Sequence, residues 1–141
     1  MRSANPYLYF PGNTREAFDF YKSVFGGDFV DVLTYGDMGG NEMGVTEAEL
    51  GLIAHIALPL GDSLLMGTDE TGSAAKRMTT GTNFYITLEA DTEDEADRVY
   101  NGLTAGGKAT LPLEETPWAK KYGMCTDRYG VQWMVMYSVQ P

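Results

Sequence analysis

The sequence predicts an α+β fold built from two tandem β-α-β-β-β modules. Three observations predict it. The chain repeats itself at about half its length, each half passes from strand-like alternation to a helix-period stripe, and each stripe ends at a Gly-Gly pair. The first copy is Tyr7-Leu8-Tyr9-Phe10, Asn13-Thr14-Arg15-Glu16, a striped stretch, then Gly26-Gly27-Asp28. The second is Phe84-Tyr85-Ile86-Thr87-Leu88, Thr92-Glu93-Asp94-Glu95, a striped stretch, then Gly106-Gly107-Lys108. The offset is 78 from Thr14 to Thr92 and 80 between the glycine pairs. Two copies make a duplicated module; a solenoid needs at least three. The predicted organisation is a single domain over 1–141, with module one at 1–70 and module two at 80–141.

Each half opens with a strand. Phe84, Ile86 and Leu88 alternate with Asn83, Tyr85 and Thr87, the period-two pattern of a half-buried strand. A helix follows. Thr92 and Glu95 have the spacing of a capping box, and Asn13 with Glu16 offers a looser version. Ala17, Phe18, Tyr21, Val24 and Phe25 form one apolar stripe, and Ala96, Val99, Tyr100 and Leu103 form the other. Paired glycines stop both helices, since glycine adopts the left-handed conformation common past a helix end. Strands are expected at 29–35, 52–58 and 63–67, with Gly61-Asp62 as the hairpin turn between the last two. In the second half they are expected at 109–113, 122–126 and 131–137, and Asp127 to Gly130 has type I turn chemistry. The Gly/Thr-rich loop 68–82 joins the halves. The loop 36–49 is long enough to serve as a lid, with surface disorder as the plainer reading.

Composition narrows the function. Twenty acidic against ten basic residues give a formal charge of −10. No basic stripe is available to neutralise phosphates, so nucleic acid is not an expected partner. Nor is an anionic membrane, and the apolar run 50–60, broken by His55 and Pro59, falls far short of the ~20 residues that span a bilayer. One cysteine, Cys125, permits no internal disulfide and no cysteine-based zinc site within the chain. A cytoplasmic protein is expected. The six carboxylates of Glu89, Asp91, Glu93, Asp94, Glu95 and Asp97 lack the 12-residue calcium loop. Most of them open the second helix, where negative charge complements the dipole.

The residues Glu16-Ala17-Phe18-Asp19-Phe20-Tyr21, Phe25-Gly26-Gly27, Ala54-His55-Ile56-Ala57-Leu58, Leu64-Leu65-Met66-Gly67-Thr68-Asp69, Trp118, Tyr122-Gly123 and Asp127-Arg128-Tyr129-Gly130-Val131-Gln132-Trp133 carry a resemblance. Together with the duplicated module, they resemble the vicinal oxygen chelate superfamily of glyoxalases, bleomycin-resistance proteins and extradiol dioxygenases. The chain is most similar to the PhnB-like branch, also called 3-demethylubiquinone methyltransferase-like. The resemblance spans nearly the whole chain, and Asp-x-aromatic-Gly-x-x-Trp is its most specific motif. It implies a curved mixed sheet around a cleft, helices outside, and a homodimer. It also implies that metal ligands, where relatives use them, come from the first and fourth strands of each half. Those positions fall near Asn5 or Tyr7, near Met66, near Asn83 or Tyr85, and at Met134. None is His, Glu or Asp, the donors that divalent ions prefer, so no metal and no cofactor is expected.

Strand parity then selects a cleft lining of Tyr7, Tyr9, His55, Met66, Asn83, Tyr85, Gln132 and Met134, with Met136 beside them. Trp118 lies over the mouth, where Lys120 or Lys121 would offer charge to an anionic substrate. An aromatic and methionine-rich lining suits a flat or apolar small molecule, and the acidic chain would draw cationic ones. His55, the only histidine, is the candidate catalytic base, a structural histidine being the alternative. Cys125, with no adjacent base in the sequence, reads as a buried thiol. The expected function is metal-independent small-molecule binding. A metal-dependent lyase or dioxygenase of the glyoxalase type is the alternative, and a methyltransferase, for which no Gly-rich cofactor loop is visible, is the second.

Overall fold

The computed structural model describes residues 1–72 and 78–138, with the side chains of Asn41 and Met43 left out. Part of the joining loop, 73–77, and the end of module two, 139–141, lie outside the described residues. The chain divides into two compact units, Met1–Thr79 and Thr80–Pro141.

The first unit runs β1 (Tyr7–Phe10), α1 (Thr14–Phe25), β2 (Asp31–Thr34), β3 (Ile53–Leu60) and β4 (Ser63–Asp69). Its sheet has the order β1-β4-β3-β2. The β1–β4 pair is parallel and the others are antiparallel. The stripe of α1 buries Ala17, Phe18, Tyr21 and Val24 with Ile56, Leu58 and Leu65 of the sheet. Each of the valine, leucine, isoleucine and phenylalanine side chains among them contributes about 1.5–3 kcal/mol on leaving water. Phe18 meets Tyr21 edge-on at 5.5 Å, the arrangement that ring quadrupoles favour. Helix and sheet approach so closely that a Cβ on Gly67 would lie 2.6 Å from Phe18.

The start of α1 departs from expectation. Asn13 makes no side-chain capping bond. Asp69, at the end of β4, does that work from 55 residues away. Its Oδ1 accepts from the Thr14 N–H at 3.0 Å and from the Thr14 hydroxyl at 2.7 Å. Its Oδ2 accepts from the Ile53 N–H at 2.8 Å. One buried carboxylate thus ties helix, β3 and β4 together. At the other end Gly26 has positive φ but an extended ψ of −167°, so the helix leaves through glycine without a left-handed cap.

The long loop is folded rather than loose. It forms two short 3-10 turns, Gly40–Met43 and Glu47–Glu49. The Glu49 carboxylate accepts from the Thr46 N–H and hydroxyl and from the Gly72 N–H. The backbone bond from Thr46, then that from Gly72, hold this carboxyl below its usual range.

The second unit runs β5 (Ile86–Glu89), α2 (Glu93–Thr104), β6 (Lys108–Thr116), β7 (Ala119–Thr126) and β8 (Gln132–Ser138). Its order, β5-β8-β7-β6, repeats that of the first sheet with the same parallel pair. Thr92 caps α2 by accepting from the Glu95 N–H at 3.0 Å. The Glu95 carboxylate reaches back to the Asp91 N–H, one residue beyond the capping-box position. Phe84 is a correction: it precedes β5 and is exposed, because pairing with β8 begins only at Ile86 and Trp133.

The specific motif at 127–133 is a structural pin. Asp127 Oδ1 accepts from the Tyr129 and Val131 N–H groups. Its Oδ2 accepts from the Trp133 indole at 2.9 Å. The Gly130 N–H closes the turn onto the Asp127 carbonyl, and Gly130 has φ of +89°, which an L side chain rarely adopts. Arg128 donates twice to the Ala105 carbonyl at the end of α2. Asp127, Gly130 and Trp133 therefore serve the turn, and Arg128 the helix it abuts.

Candidate functional site

In each unit the helix covers one sheet face, and strand register assigns side chains to the other. In the first unit Asp31 pairs with Ala57, Ala57 with Met66, and Met66 with Tyr7, giving one row across four strands. Leu33 pairs with His55 and Tyr9 with Thr68 on the same face. Tyr7 and Tyr9 are 40% and 54% exposed, large values for aromatic rings in strands. Their centroids stand 5.7 Å apart.

Four of the predicted residues, Tyr7, Tyr9, His55 and Met66, are therefore neighbours on this face. Tyr7 Oη and His55 Nδ1 are 2.9 Å apart. On the far side of the ring, His55 Nε2 lies 3.9 Å from Asp31 Oδ2. That is an ionic distance rather than a hydrogen bond. Burial, then the neighbouring Tyr9 and Tyr35 phenols, push the Tyr7 phenol upward. Asp31 was missed from the sequence. It lies on edge strand β2, and only the register across to Ala57 brings it to His55.

In the second unit the open face carries Thr87, Met134, Met124 and Leu111 in one row. Glu89, Met136, Tyr122 and Glu114 form the next. Trp118 is 56% exposed and packs edge-on against Tyr122 at 5.4 Å. Met134 is thus on the open face as expected, and its sulfur accepts from the Thr87 hydroxyl at 3.8 Å. Asn83 and Tyr85 lie just before β5 and are exposed. Gln132 is buried, with its amide donating to the Phe84 carbonyl at 2.6 Å, so its side chain is already engaged. Of the two lysines expected near Trp118, Lys121 is engaged elsewhere. Lys121 Nζ pairs with Asp97 of α2 at 2.9 Å, on the helix side. That bond raises the Lys121 ammonium above its usual value. Cys125 is buried, and burial, then nearby Asp127, push its thiol up to about 12; it is not a nucleophile at neutral pH.

The donor chemistry does not fit a divalent metal ion. The facing pairs of first and fourth strands are Tyr7 with Met66, Leu8 with Gly67, Tyr9 with Thr68 and Phe10 with Asp69 in one unit. In the other they are Ile86 with Trp133, Thr87 with Met134, Leu88 with Val135 and Glu89 with Met136. Of the two carboxylates among them, Asp69 is occupied by Thr14 and Ile53 and Glu89 by the Ser138 N–H and hydroxyl. Asn5 is spoken for as well, its carbonyl accepting from the Leu64 N–H. Among the described residues no three His, Cys, Asp or Glu side chains converge. No helix among them is long and apolar enough to cross a membrane.

Comparison with known proteins agrees with this architecture. The model of the Glyoxalase/Bleomycin resistance protein/Dioxygenase superfamily matches residues 3–135. Protein PA1353 from Pseudomonas aeruginosa is 34% identical, with a TM-score of 0.83 and 98% of both chains covered. The PhnB protein from Bacillus cereus is 28% identical, with a TM-score of 0.71, covering 97% of this chain and 100% of its own. Protein YjdN of Escherichia coli (strain K12) is 28% identical, covering 93% of this chain and 92% of its own.

Proposed function

The chain belongs to the Glyoxalase/Bleomycin resistance protein/Dioxygenase superfamily, and from that premise we propose that it binds a flat or apolar small molecule without a metal ion. The observation that carries this reading is the chemistry of the facing strand pairs. Where metal-using relatives would place imidazoles and carboxylates, this chain has phenols, thioethers and hydroxyls, and the two carboxylates among the pairs, Asp69 and Glu89, are already hydrogen-bonded. Phenol and thioether bind divalent ions poorly, whereas polarisable sulfur and aromatic faces bind flat ligands well. Trp118, Tyr122, Met124, Met134 and Met136 supply such a surface in the second unit. The same reading takes the protein as a cytoplasmic homodimer, and the single unpaired Cys125 suits a reducing compartment.

Titration with the neutral dye Nile red tests binding. Saturable enhancement of its emission is expected, unchanged by a chelator. Met134→Glu places a charge in the middle of the methionine row and is expected to weaken binding by about tenfold or more, since burying an unpaired carboxylate costs several kcal/mol. Absence of saturable binding, or binding that appears only after a divalent ion is added, would overturn the reading.

A further inference from the structure

We infer that Tyr7, His55 and Asp31 form a metal-free acyl-transfer site in the first unit, with the Tyr7 phenol as nucleophile and activated esters as the substrate class. The order of groups is that of an activated nucleophile. A hydroxyl lies 2.9 Å from a ring nitrogen, and the opposite ring nitrogen faces a carboxylate at 3.9 Å. A neutral imidazole with its proton on Nε2, toward Asp31, leaves Nδ1 free to accept the Tyr7 hydroxyl. It is then a base in hydrogen-bond reach, oriented by a third group. Tyr7 is half exposed beside Tyr9 and Met66, whose faces suit an aromatic ester.

The titratable neighbours of the pair are Tyr9, Tyr35 and Asp31. Burial, then the two phenols, disfavours a standing Tyr7 phenolate, so its proton must leave during attack, to the base already bonded to it. The Asp31 carboxylate faces the far nitrogen of the imidazolium that results, at 3.9 Å. In the first step Tyr7 Oη bonds to the acyl carbon and its proton passes to His55 Nδ1. The bond from acyl carbon to the leaving oxygen breaks, and that oxygen departs with the electron pair. In the second step water attacks the tyrosyl ester, with His55, deprotonated again by solvent, taking the water's proton. The ester bond breaks, the carboxylic acid leaves, and the Tyr7 oxygen recovers a proton from the imidazolium.

The inference rests on His55 being free of metal, as proposed above, and its readout is separate. The probe is p-nitrophenyl acetate, offered to the full chain after chelator treatment. A burst of one p-nitrophenolate per chain is expected, with an acetyl group on the peptide that contains Tyr7. Tyr7→Phe removes both burst and label. His55→Gln, which keeps a hydrogen-bonding group of similar reach, slows acetylation by about 100-fold. It also removes the inflection from the rate–pH profile, which a merely structural histidine would leave in place. Circular dichroism and the thermal midpoint establish that both variants are folded. A burst that survives Tyr7→Phe, a label on another residue, or equal rates in His55→Gln would overturn the inference. Metal content measured on the same preparation before the chelator is added distinguishes the two failures. A retained ion defeats the metal-free reading, whereas an ion-free chain without the label defeats only the acyl-transfer site.

Discussion

Asp69→Ala lowers the stability of the first unit by about 3–5 kcal/mol, the largest effect expected for a polar residue of this chain. Asp69 is 1% exposed. Its loss leaves the Thr14 N–H and hydroxyl and the Ile53 N–H without their acceptor. An orphaned buried donor costs about 1–3 kcal/mol, and the loss of a helix cap with its favourable charge at the dipole adds to this. Water entering the space left by the side chain returns part of the sum. Asp69→Asn keeps an acceptor for Thr14 but turns an amide N–H₂ toward the Ile53 N–H, so it should fall between wild type and alanine. Urea unfolding checks this: the midpoint moves down while the slope stays unchanged. A change under about 1 kcal/mol would mean that the three bonds do not hold helix, β3 and β4 together.

Trp133→Ala is the second. Trp133 is fully buried and is the largest side chain in the core of the second unit. Emptying such a site costs about 3–5 kcal/mol. The pin predicts more than lost volume. Asp127→Ala orphans the indole N–H and two backbone N–H groups, costing about 2–3 kcal/mol. Asp127 and Trp133 then couple by about 1–2 kcal/mol in a double-mutant cycle using Trp133→Phe, which keeps most of the volume. Additive effects within about 0.3 kcal/mol would show that the indole hydrogen bond contributes nothing beyond packing.

The fold was legible because its signals are local or repeated. The stripes of α1 and α2, the Thr92 cap and the turn at Asp127 each lie within a few residues and stand as expected. The faces were legible too, since strand parity alone places Tyr7, Tyr9 and His55 opposite Leu8 and Ile56. What sequence reasoning missed depends on contacts between distant residues. Asn13 sits where a cap belongs, yet a buried carboxylate 55 residues beyond Thr14 outcompetes it. Asp31 joins His55 only through edge-strand register. Lys121 was offered with Lys120 as charge for a substrate because both charges are visible in the sequence, while the partner of Lys121, Asp97, lies on a helix 24 residues earlier. Gln132 has the right parity for the open face, but the Phe84 carbonyl claims its amide. The most specific motif, 127–133, stabilises a turn, so it identifies the family without naming a chemistry.

Metal content tests the central claim most directly. The protein is purified without an affinity tag, offered nickel, zinc, manganese and ferrous iron in turn, dialysed, and measured by mass spectrometry. The account predicts well under one ion per chain in every case, because the facing strand pairs present phenol, thioether and hydroxyl groups. One ion per chain surviving dialysis would contradict it, and would place His55 and nearby carboxylates in a metal site instead.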